Sequence, residues 1–135
     1  MKIVIDNNIA LDALLERKPF CETAEQILTA CADSHTGYLT SNSLTDIFYV
    51  LRKAIGNINA KAAVKKLIDL FEIISVDKDD CLNAVSLQID DFEDALIVVC
   101  AEKVSADCIV TRDEKFMQDK SPVAIISSKD LIKNL

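Results

Sequence analysis

Apolar residues along the chain form two patterns that alternate from one end to the other. Short runs of consecutive apolar residues, many of them β-branched, indicate buried strands at residues 2–5, 38–40, 73–76, 108–110 and 124–126. Between these runs, apolar residues recur every three or four positions. That spacing indicates amphipathic helices at residues 8–15, 21–33, 43–55, 59–71, 79–89, 92–104, 113–118 and 128–134.

The order of these elements predicts the fold class. Helices and strands alternate, and the strands are apolar throughout instead of changing between apolar and polar residues. This combination is typical of a parallel sheet with helices packed on both faces. The sequence therefore predicts an α/β fold in three layers, as a single domain over residues 1–135.

Composition excludes several classes of protein. Half of the 135 residues are hydrophobic and 27% are charged, which excludes a disordered chain. The longest apolar run, residues 95–101, is far shorter than the roughly 20 residues that cross a bilayer. An acid at position 6 is not typical of a secretory signal. We therefore expect a cytoplasmic protein with no membrane partner.

The positions of cysteine and histidine do not favour a zinc site or a histidine-dependent catalytic triad. The five cysteines include no closely spaced pair, and His35 is the only histidine. Zinc sites and histidine-dependent triads are therefore disfavoured, and the cysteines fit a role as small core residues in a reducing compartment. Any catalytic or metal-binding site is expected to consist of carboxylates.

Four acids fall where elements of the predicted fold meet. Asp6 ends the first strand and Asp113 follows the fourth, so both belong at the carboxyl edge of the sheet, where open α/β folds bind ligands. Asp46 and Asp94 fall in the first turns of two predicted helices. The spacings Ser43-x-x-Asp46 and Asp91-x-x-Asp94 also fit helix capping, so each of these acids alone has a purely structural interpretation.

Taken together, the acids favour a metal site. Two carboxylates about 4 Å apart repel each other by about 4 kcal/mol at an effective dielectric constant near 20. A cluster of them is tolerable when divalent cations occupy it, and oxygen ligands without histidine or cysteine favour Mg²⁺ or Mn²⁺. The usual chemistry of such a site is phosphoryl transfer or phosphodiester hydrolysis.

Four stretches of the chain, in this order, resemble PIN-domain ribonucleases, particularly the VapC-type toxins of toxin–antitoxin pairs. They are IVIDNN at residues 3–8, TSNSLTDIFYVLRK at 40–53, DDFEDALI at 90–97 and ADCIVTRD at 106–113. The resemblance extends over nearly the whole chain. It implies a parallel-sheet nuclease fold and divalent-metal-dependent cleavage of single-stranded RNA by three or four acids.

The resemblance assigns roles to particular residues. Asp6, Asp94 and Asp113 match acids that hold the metal, and Asp46 completes the catalytic set at a position where the family usually has glutamate. Because aspartate is one methylene shorter, Asp46 is expected to act on the metal through water and not directly. The supporting residues are a polar residue two positions after the first acid, an acid one helical turn before the third, and a possible hydroxyl donor: Asn8, Asp91 and Thr111.

The expected partners are RNA, an antitoxin and a second copy of the chain. Basic residues near the predicted site are candidate RNA contacts, although each also fits a solvated surface position: Arg17, Lys18, Arg52, Lys53, Arg112 and Lys115. The resemblance implies a cognate antitoxin and a homodimer. In the helix at 43–55, Leu44, Phe48 and Leu51 form one apolar stripe and Ile47, Val50 and Ala54 another. We expect one stripe in the core and the other in a groove or dimer face; the alternative is that the monomer buries both.

Other functions fit the sequence less well. A phosphatase with Asp6 as covalent acceptor needs a second carboxylate two residues later, where the chain has Asn8. A receiver domain needs an early acid pair and an acceptor aspartate on a middle strand, which the chain lacks. Two alternatives stay open: a non-catalytic PIN-fold interaction module, favoured by the substitution at Asp46, and a housekeeping RNA-processing nuclease without an antitoxin.

Overall fold

The fold is described from a computed structural model that covers residues 1–135. All the predicted strands and helices are present, with ends shifted by at most three residues. In chain order they are β1 (Lys2–Ile5), α1 (Asn7–Leu14), α2 (Cys21–Asp33), β2 (Thr36–Thr40), α3 (Ser41–Ile55), α4 (Asn57–Leu70), β3 (Glu72–Ile74), α5 (Lys78–Ser86), α6 (Phe92–Lys103), β4 (Cys108–Thr111), α7 (Glu114–Met117), β5 (Ala124–Ser127) and α8 (Ser128–Lys133).

The five strands form one parallel sheet in the order β3-β2-β1-β4-β5. The chain therefore winds outward from β1 through β2 to β3, then crosses back to β4 on the other side of β1. This change of direction creates a crevice at the carboxyl ends of β1 and β4, where open α/β sheets bind their ligands. Ile5 pairs with Val110, and the backbone N–H of Asp6 donates to the carbonyl of Val110 at 3.1 Å.

Alternate side chains of the central strand enter two separate cores. Ile3 and Ile5 lie in a core with residues of α1 to α4, whereas Val4 lies in a second core with α6 residues such as Ile97. All three of these side chains are fully buried, which explains why residues 3–5 are all apolar. The predicted three-layer α/β fold is confirmed. None of the helices is both long and apolar enough to cross a membrane.

The start of α3 differs from the prediction. The helix begins at Ser41, and Thr40 caps it by accepting the backbone N–H of Ser43 at 3.2 Å. The hydroxyls of Thr40 and Ser43 also lie 2.7 Å apart. Asp46 is therefore in the second turn, and the interpretation of Ser43-x-x-Asp46 as a capping box is wrong. The strand β2 ends in a residue whose own hydroxyl serves as the cap, so the helix starts two residues earlier.

The two apolar stripes of α3 are also divided differently. Ile47 and Leu51 are fully buried in the core, and Leu44 and Phe48 pack half-buried against it. The assignment of Ile47 to the same stripe as Val50 is therefore wrong. The apolar side chains that stay exposed lie on the outer side of α3 and at the α3–α4 junction: Tyr49, Val50, Ile55 and Ile58.

Candidate functional site: the acidic edge of the sheet

Asp6 lies at the carboxyl end of β1 and is 7% exposed. The Thr111 hydroxyl donates to its Oδ2 at 2.7 Å, and the Asn7 backbone N–H donates to its Oδ1 at 2.8 Å. Burial raises the pKa of Asp6, and these two hydrogen bonds oppose that rise because they favour the ionised form. Thr111 in turn accepts the backbone N–H of Asp113 at 3.0 Å, so one hydroxyl joins β1 to the turn after β4.

Asp113 is the N-cap of α7 and accepts the backbone N–H of Lys115 at 3.0 Å. Its negative charge contributes to the raised pKa values of both Asp6 and Asp94. Asp113 therefore has a structural role and also belongs electrostatically to the same edge. The placement predicted from the strand ends agrees with this position.

Two adjacent acids in the first turn of α6 have strongly raised pKa values. Burial, followed by the charges of Asp91, Asp6 and Asp113, raises the pKa of Asp94 to about 7. Burial, followed by the charge of Asp46, raises the pKa of Glu93 to about 7. Asp91 itself caps α6 by accepting the backbone N–H of Asp94 at 3.0 Å, so its capping interpretation agrees with the structure.

Glu93 and Asn7 are site residues that the sequence analysis missed. The Asn7 side-chain amide donates to the Glu93 carboxylate, which joins the start of α1 to the start of α6. The Asn7 Oδ1 oxygen is buried and has no hydrogen-bond partner. Asn8, expected to support the site, instead lies 3.4 Å from Arg17 Nη1. The available signal for Glu93 was its place between Asp91 and Asp94, but periodicity alone does not show which side chain faces the sheet edge.

We use "acidic edge" for Asp6, Asp46, Glu93, Asp94 and Asp113. Nowhere in the chain do three His, Cys, Asp or Glu side chains stand close enough together to hold a metal ion. The acids therefore lie along the same edge without forming a closed ligand set, and the metal-holding roles of Asp6, Asp94 and Asp113 stay a prediction. One reason lies in the hydrogen bonds above, which direct several of these carboxylates toward backbone or amide donors.

The donor chemistry of the acidic edge nevertheless fits a hard divalent cation. Every donor is an oxygen, and two of the carboxyls have pKa values of about 7 because burial and then neighbouring negative charge disfavour their ionised forms. The unpartnered Asn7 Oδ1 adds a buried oxygen with free lone pairs beside Glu93. A cation would supply the missing counter-charge after a change of side-chain rotamers.

Two of the predicted RNA-binding residues are engaged within the protein. Asp12, which is fully buried and was not singled out from the sequence, accepts Arg112 Nε at 2.6 Å and Arg112 Nη2 at 3.2 Å. Arg17 Nη1 lies 3.5 Å from the same carboxylate. Asp12 thus balances one of two guanidinium charges, and each arginine side chain keeps about a third of its surface exposed.

The other predicted RNA contacts are dispersed. Arg52 and Lys53 lie in the last turn of α3, about 16 Å along the helix from its start at the acidic edge. Arg52 stacks over the Tyr49 ring at 4.9 Å. Lys18 lies just before α2 and Lys115 lies in α7, and both side chains are exposed.

Comparison with known proteins agrees with this fold. The family model of the PIN domain matches residues 2–115. The chain is 29% identical over 121 residues to "Ribonuclease VapC1" of Aquifex aeolicus (strain VF5), covering 85% of this chain and 83% of that protein.

Solved structures with much lower identity share the fold. The Mycobacterium tuberculosis toxin VapC20, described as cleaving the sarcin–ricin loop, superposes with a TM-score of 0.70 at 16% identity, over 84% of this chain and 92% of that one. A toxin–antitoxin complex from Klebsiella pneumoniae gives a TM-score of 0.69 at 18% identity, over 93% and 97%. With the family model matching most of the length, and Asp6 and Asp113 at the sheet edge, the chain belongs to the PIN domain family.

Proposed function

We propose that this protein is a divalent-metal-dependent endoribonuclease that cleaves single-stranded RNA and serves as the toxin of a toxin–antitoxin pair. The observation that carries the proposal is the concentration of uncompensated carboxyl groups at the carboxyl ends of β1 and β4, with two pKa values near 7. The similarity to a ribonuclease of the VapC type supports RNA as the substrate.

The proposed cation ligands are Asp6, Asp94 and Asp113, with Mg²⁺ or Mn²⁺ as the ion. When bound, such an ion would supply Lewis acidity at the phosphate and generate a nucleophile from water. Asp6 is held ready for this role by Thr111 and the Asn7 backbone, which fix both of its oxygens. The carboxylate of Asp94 accepts no hydrogen bond from the protein, so it is free to turn toward a ligand.

Glu93 changes the role proposed for Asp46. The family position filled by Asp46 usually has a glutamate, and the charge of Asp46 acts directly on Glu93. We infer that Asp46 and Glu93 share one function at this edge, with the longer Glu93 side chain reaching the region that the shorter aspartate does not. With a pKa near 7, Glu93 is also suited to transfer a proton during hydrolysis near neutral pH.

The antitoxin and dimer proposals rest on exposed apolar surface and on the similarity to a toxin solved with its antitoxin. A groove of about 260 Å³ between α2 and α4 is lined mostly by apolar residues, among them Leu28, Leu67 and Leu70. This groove, near the amino ends of β2 and β3, is a proposed binding site for an apolar antitoxin segment, and an arginine or lysine from another part of the antitoxin would reach the acidic edge at the opposite ends of the strands. The exposed residues at the α3–α4 junction are the proposed dimer face.

The test is cleavage of an unstructured RNA by purified protein with Mg²⁺, with Mn²⁺ and with EDTA. Cleavage should require a metal and should fall at least about a hundredfold in Asp94→Asn, which keeps the size of the side chain. Asp69→Asn is the matched control, since Asp69 is exposed on α4 and pairs only with Lys65. Full activity in EDTA, with metal-free protein confirmed, would overturn the metal mechanism. Absence of cleavage in all metals would favour the interaction-module alternative.

A further inference from the structure

A cleft of about 360 Å³ opens beside the acidic edge, on the side of β5. Segments that are distant in sequence line it, and the residues that carry the argument are Phe20, Thr23, Arg112, Glu114, Ser128 and Lys129. Its volume is at the small end of the range for small-molecule sites, about 300–1,000 Å³. Arg112 connects the cleft to the acidic edge because it stands between Thr111 and Asp113 in the turn after β4.

Arg112 presents a flat and fixed surface to this cleft. Its Nε and Nη2 donate to the buried Asp12 carboxylate, and its Cζ lies 4.1 Å from the centroid of the Phe20 ring. Phe20 is 40% exposed and Arg112 keeps 31% of its side-chain surface exposed. Because Asp12 and Phe20 already hold the guanidinium plane in place, a nucleobase can stack there with little further loss of conformational entropy at Arg112.

The cleft also offers two cations and unused hydroxyl groups. Arg112 is paired with Asp12, whereas Lys129 forms no ion pair, and Arg17 adds a further cation beside Asp12 just outside the lining. The hydroxyls of Thr23 and Ser128 form no hydrogen bond within the protein, so they are available to the edges of a base. Glu114 is the one lining acid without a basic partner. The chain therefore places cations beside the carboxylates that would otherwise repel a polyanion.

We propose that this cleft binds one nucleotide of single-stranded RNA next to the phosphodiester that lies at the acidic edge. The base stacks on the Arg112–Phe20 surface, and Lys129 pairs with an adjacent phosphate. The inference rests on the proposed ribonuclease function and adds to it a subsite that contributes to substrate choice. An acidic peptide is the competing occupant, and the test separates it from RNA.

The experiment measures binding of a fluorescein-labelled, mixed-sequence single-stranded RNA in EDTA, so that binding is read without cleavage. Phe20→Leu keeps apolar bulk but removes the stacking ring, and should weaken binding about tenfold. Lys129→Ala should lower the salt dependence of binding by about 0.7 in the log–log slope, as expected for one phosphate contact. Lys133→Ala is the control, since it removes the same charge from the same helix outside the cleft.

Two further measurements locate the RNA and test the charge of the cleft. A 4-thiouridine probe should crosslink to the peptide that contains Phe20. Glu114→Gln should tighten RNA binding by removing the unpaired acid. Substitution of Arg112 is avoided here because it would leave the buried Asp12 short of a partner.

The subsite and the proposed function fail in different ways. The subsite is overturned if Phe20→Leu and Lys129→Ala both bind RNA as tightly as the control Lys133→Ala does. It is also overturned if Phe20→Leu cleaves RNA with an unchanged KM. If the two cleft variants bind RNA normally but lose affinity for an acidic peptide, the subsite is also overturned, and the cleft is assigned to a protein segment. Binding that depends on the cleft without any cleavage in Mg²⁺ or Mn²⁺ would preserve the subsite and refute the nuclease proposal.

Discussion

Thr111 donates a 2.7 Å hydrogen bond to Asp6, and the same oxygen accepts the backbone N–H of Asp113 at 3.0 Å. The hydroxyl is fully buried, and it joins two acids that come from neighbouring strands. A single side chain thus sets the orientation of the Asp6 carboxylate and the position of the turn that carries Asp113. This arrangement makes Thr111 a positioning residue of the acidic edge.

We therefore expect Thr111→Val to lower kcat/KM for RNA cleavage about 10- to 100-fold, the usual effect of losing a partner that orients a metal ligand. Valine has nearly the same shape, but it leaves the Asp113 N–H without an acceptor, at a cost of about 1–3 kcal/mol in the free energy of unfolding. Thr111→Ser keeps the hydroxyl and should retain most activity. Full activity in Thr111→Val, or a loss in Thr111→Ser as large as that in Thr111→Val, would contradict the positioning role of the hydroxyl.

The stability of the metal-free protein should fall as pH rises from about 4 to about 7. The pKa values of Glu93 and Asp94 are raised to about 7 from ordinary values of 4.5 and 3.8, so the folded state binds more protons than the unfolded state across this window. Below pH 4 both states are protonated at these groups, and above pH 7 both are ionised. Their destabilising effect is therefore complete at pH 8.

Thermal unfolding in EDTA at pH 5 and pH 8 measures this effect. Asp94→Asn should reduce the difference in Tm between the two pH values, whereas Asp69→Asn should leave it unchanged. Addition of Mn²⁺ should raise Tm more at pH 8 than at pH 5, because ionised carboxylates bind the cation. A wild-type Tm that rises from pH 5 to pH 8 in EDTA would contradict the raised pKa values.

Asp46 is expected to act through charge and not through the helix cap. Because Thr40 caps α3, Asp46→Ala should change the free energy of unfolding by less than about 0.5 kcal/mol. The same change should lower the pKa of Glu93 in a carboxyl NMR titration, since the Asp46 charge is the second cause of its rise. Asp46→Glu should keep cleavage, and Asp46→Ala should reduce it. Full activity in Asp46→Ala would remove this acid from the site.

Removing Arg112 should destabilise the protein more than removing the charge of its partner Asp12. Arg112→Met leaves the fully buried Asp12 carboxylate with only Arg17 at 3.5 Å, so we expect a loss of about 2–3 kcal/mol in the free energy of unfolding. Asp12→Asn leaves two partly exposed guanidinium groups that water can solvate, and should cost less. The double variant should recover part of the Arg112→Met loss in urea unfolding. Additive losses would mean that the two side chains do not interact.

Oligomeric state tests the proposed dimer face. Ile58 is 87% exposed at the α3–α4 junction, and Ile58→Asp should shift the free protein from dimer to monomer in sedimentation velocity. Val85→Asp, at a position 72% exposed on α5, is the matched control and should leave the dimer intact. A wild-type monomer at micromolar concentration would refute the dimer proposal.

The antitoxin proposal has its own readout. Co-expression with the product of an adjacent small gene should relieve growth arrest, and the purified complex should lose inhibition as Mn²⁺ is raised, since both occupants compete for the acidic edge. Inhibition that is independent of metal concentration would place the antitoxin elsewhere on the surface.

Local sequence pattern was sufficient for the elements and for part of the site. The buried runs at residues 3–5 and 108–110 are recognisable because the side chains of a doubly covered parallel strand are mostly apolar, and the ends of β1 and β4 place Asp6 and Asp113 at one edge without further information. The spacing Asp91-x-x-Asp94 likewise identified the start of α6, because the cap and its N–H donor are neighbours in sequence. These features depend only on residues a few positions apart.

The remaining features depend on contacts between distant parts of the chain. The Asp12–Arg112 pair spans 100 residues and the Asn7–Glu93 contact spans 86, so no local pattern reveals them. The placement of both Glu93 and Asp94 at the edge is decided by how α6 packs on the sheet, since nearly every face of that helix is apolar. The tertiary structure alone therefore pairs two predicted RNA-binding arginines with a buried acid, and it buries Glu93 and Asp94 beside other acids so that both pKa values rise to about 7.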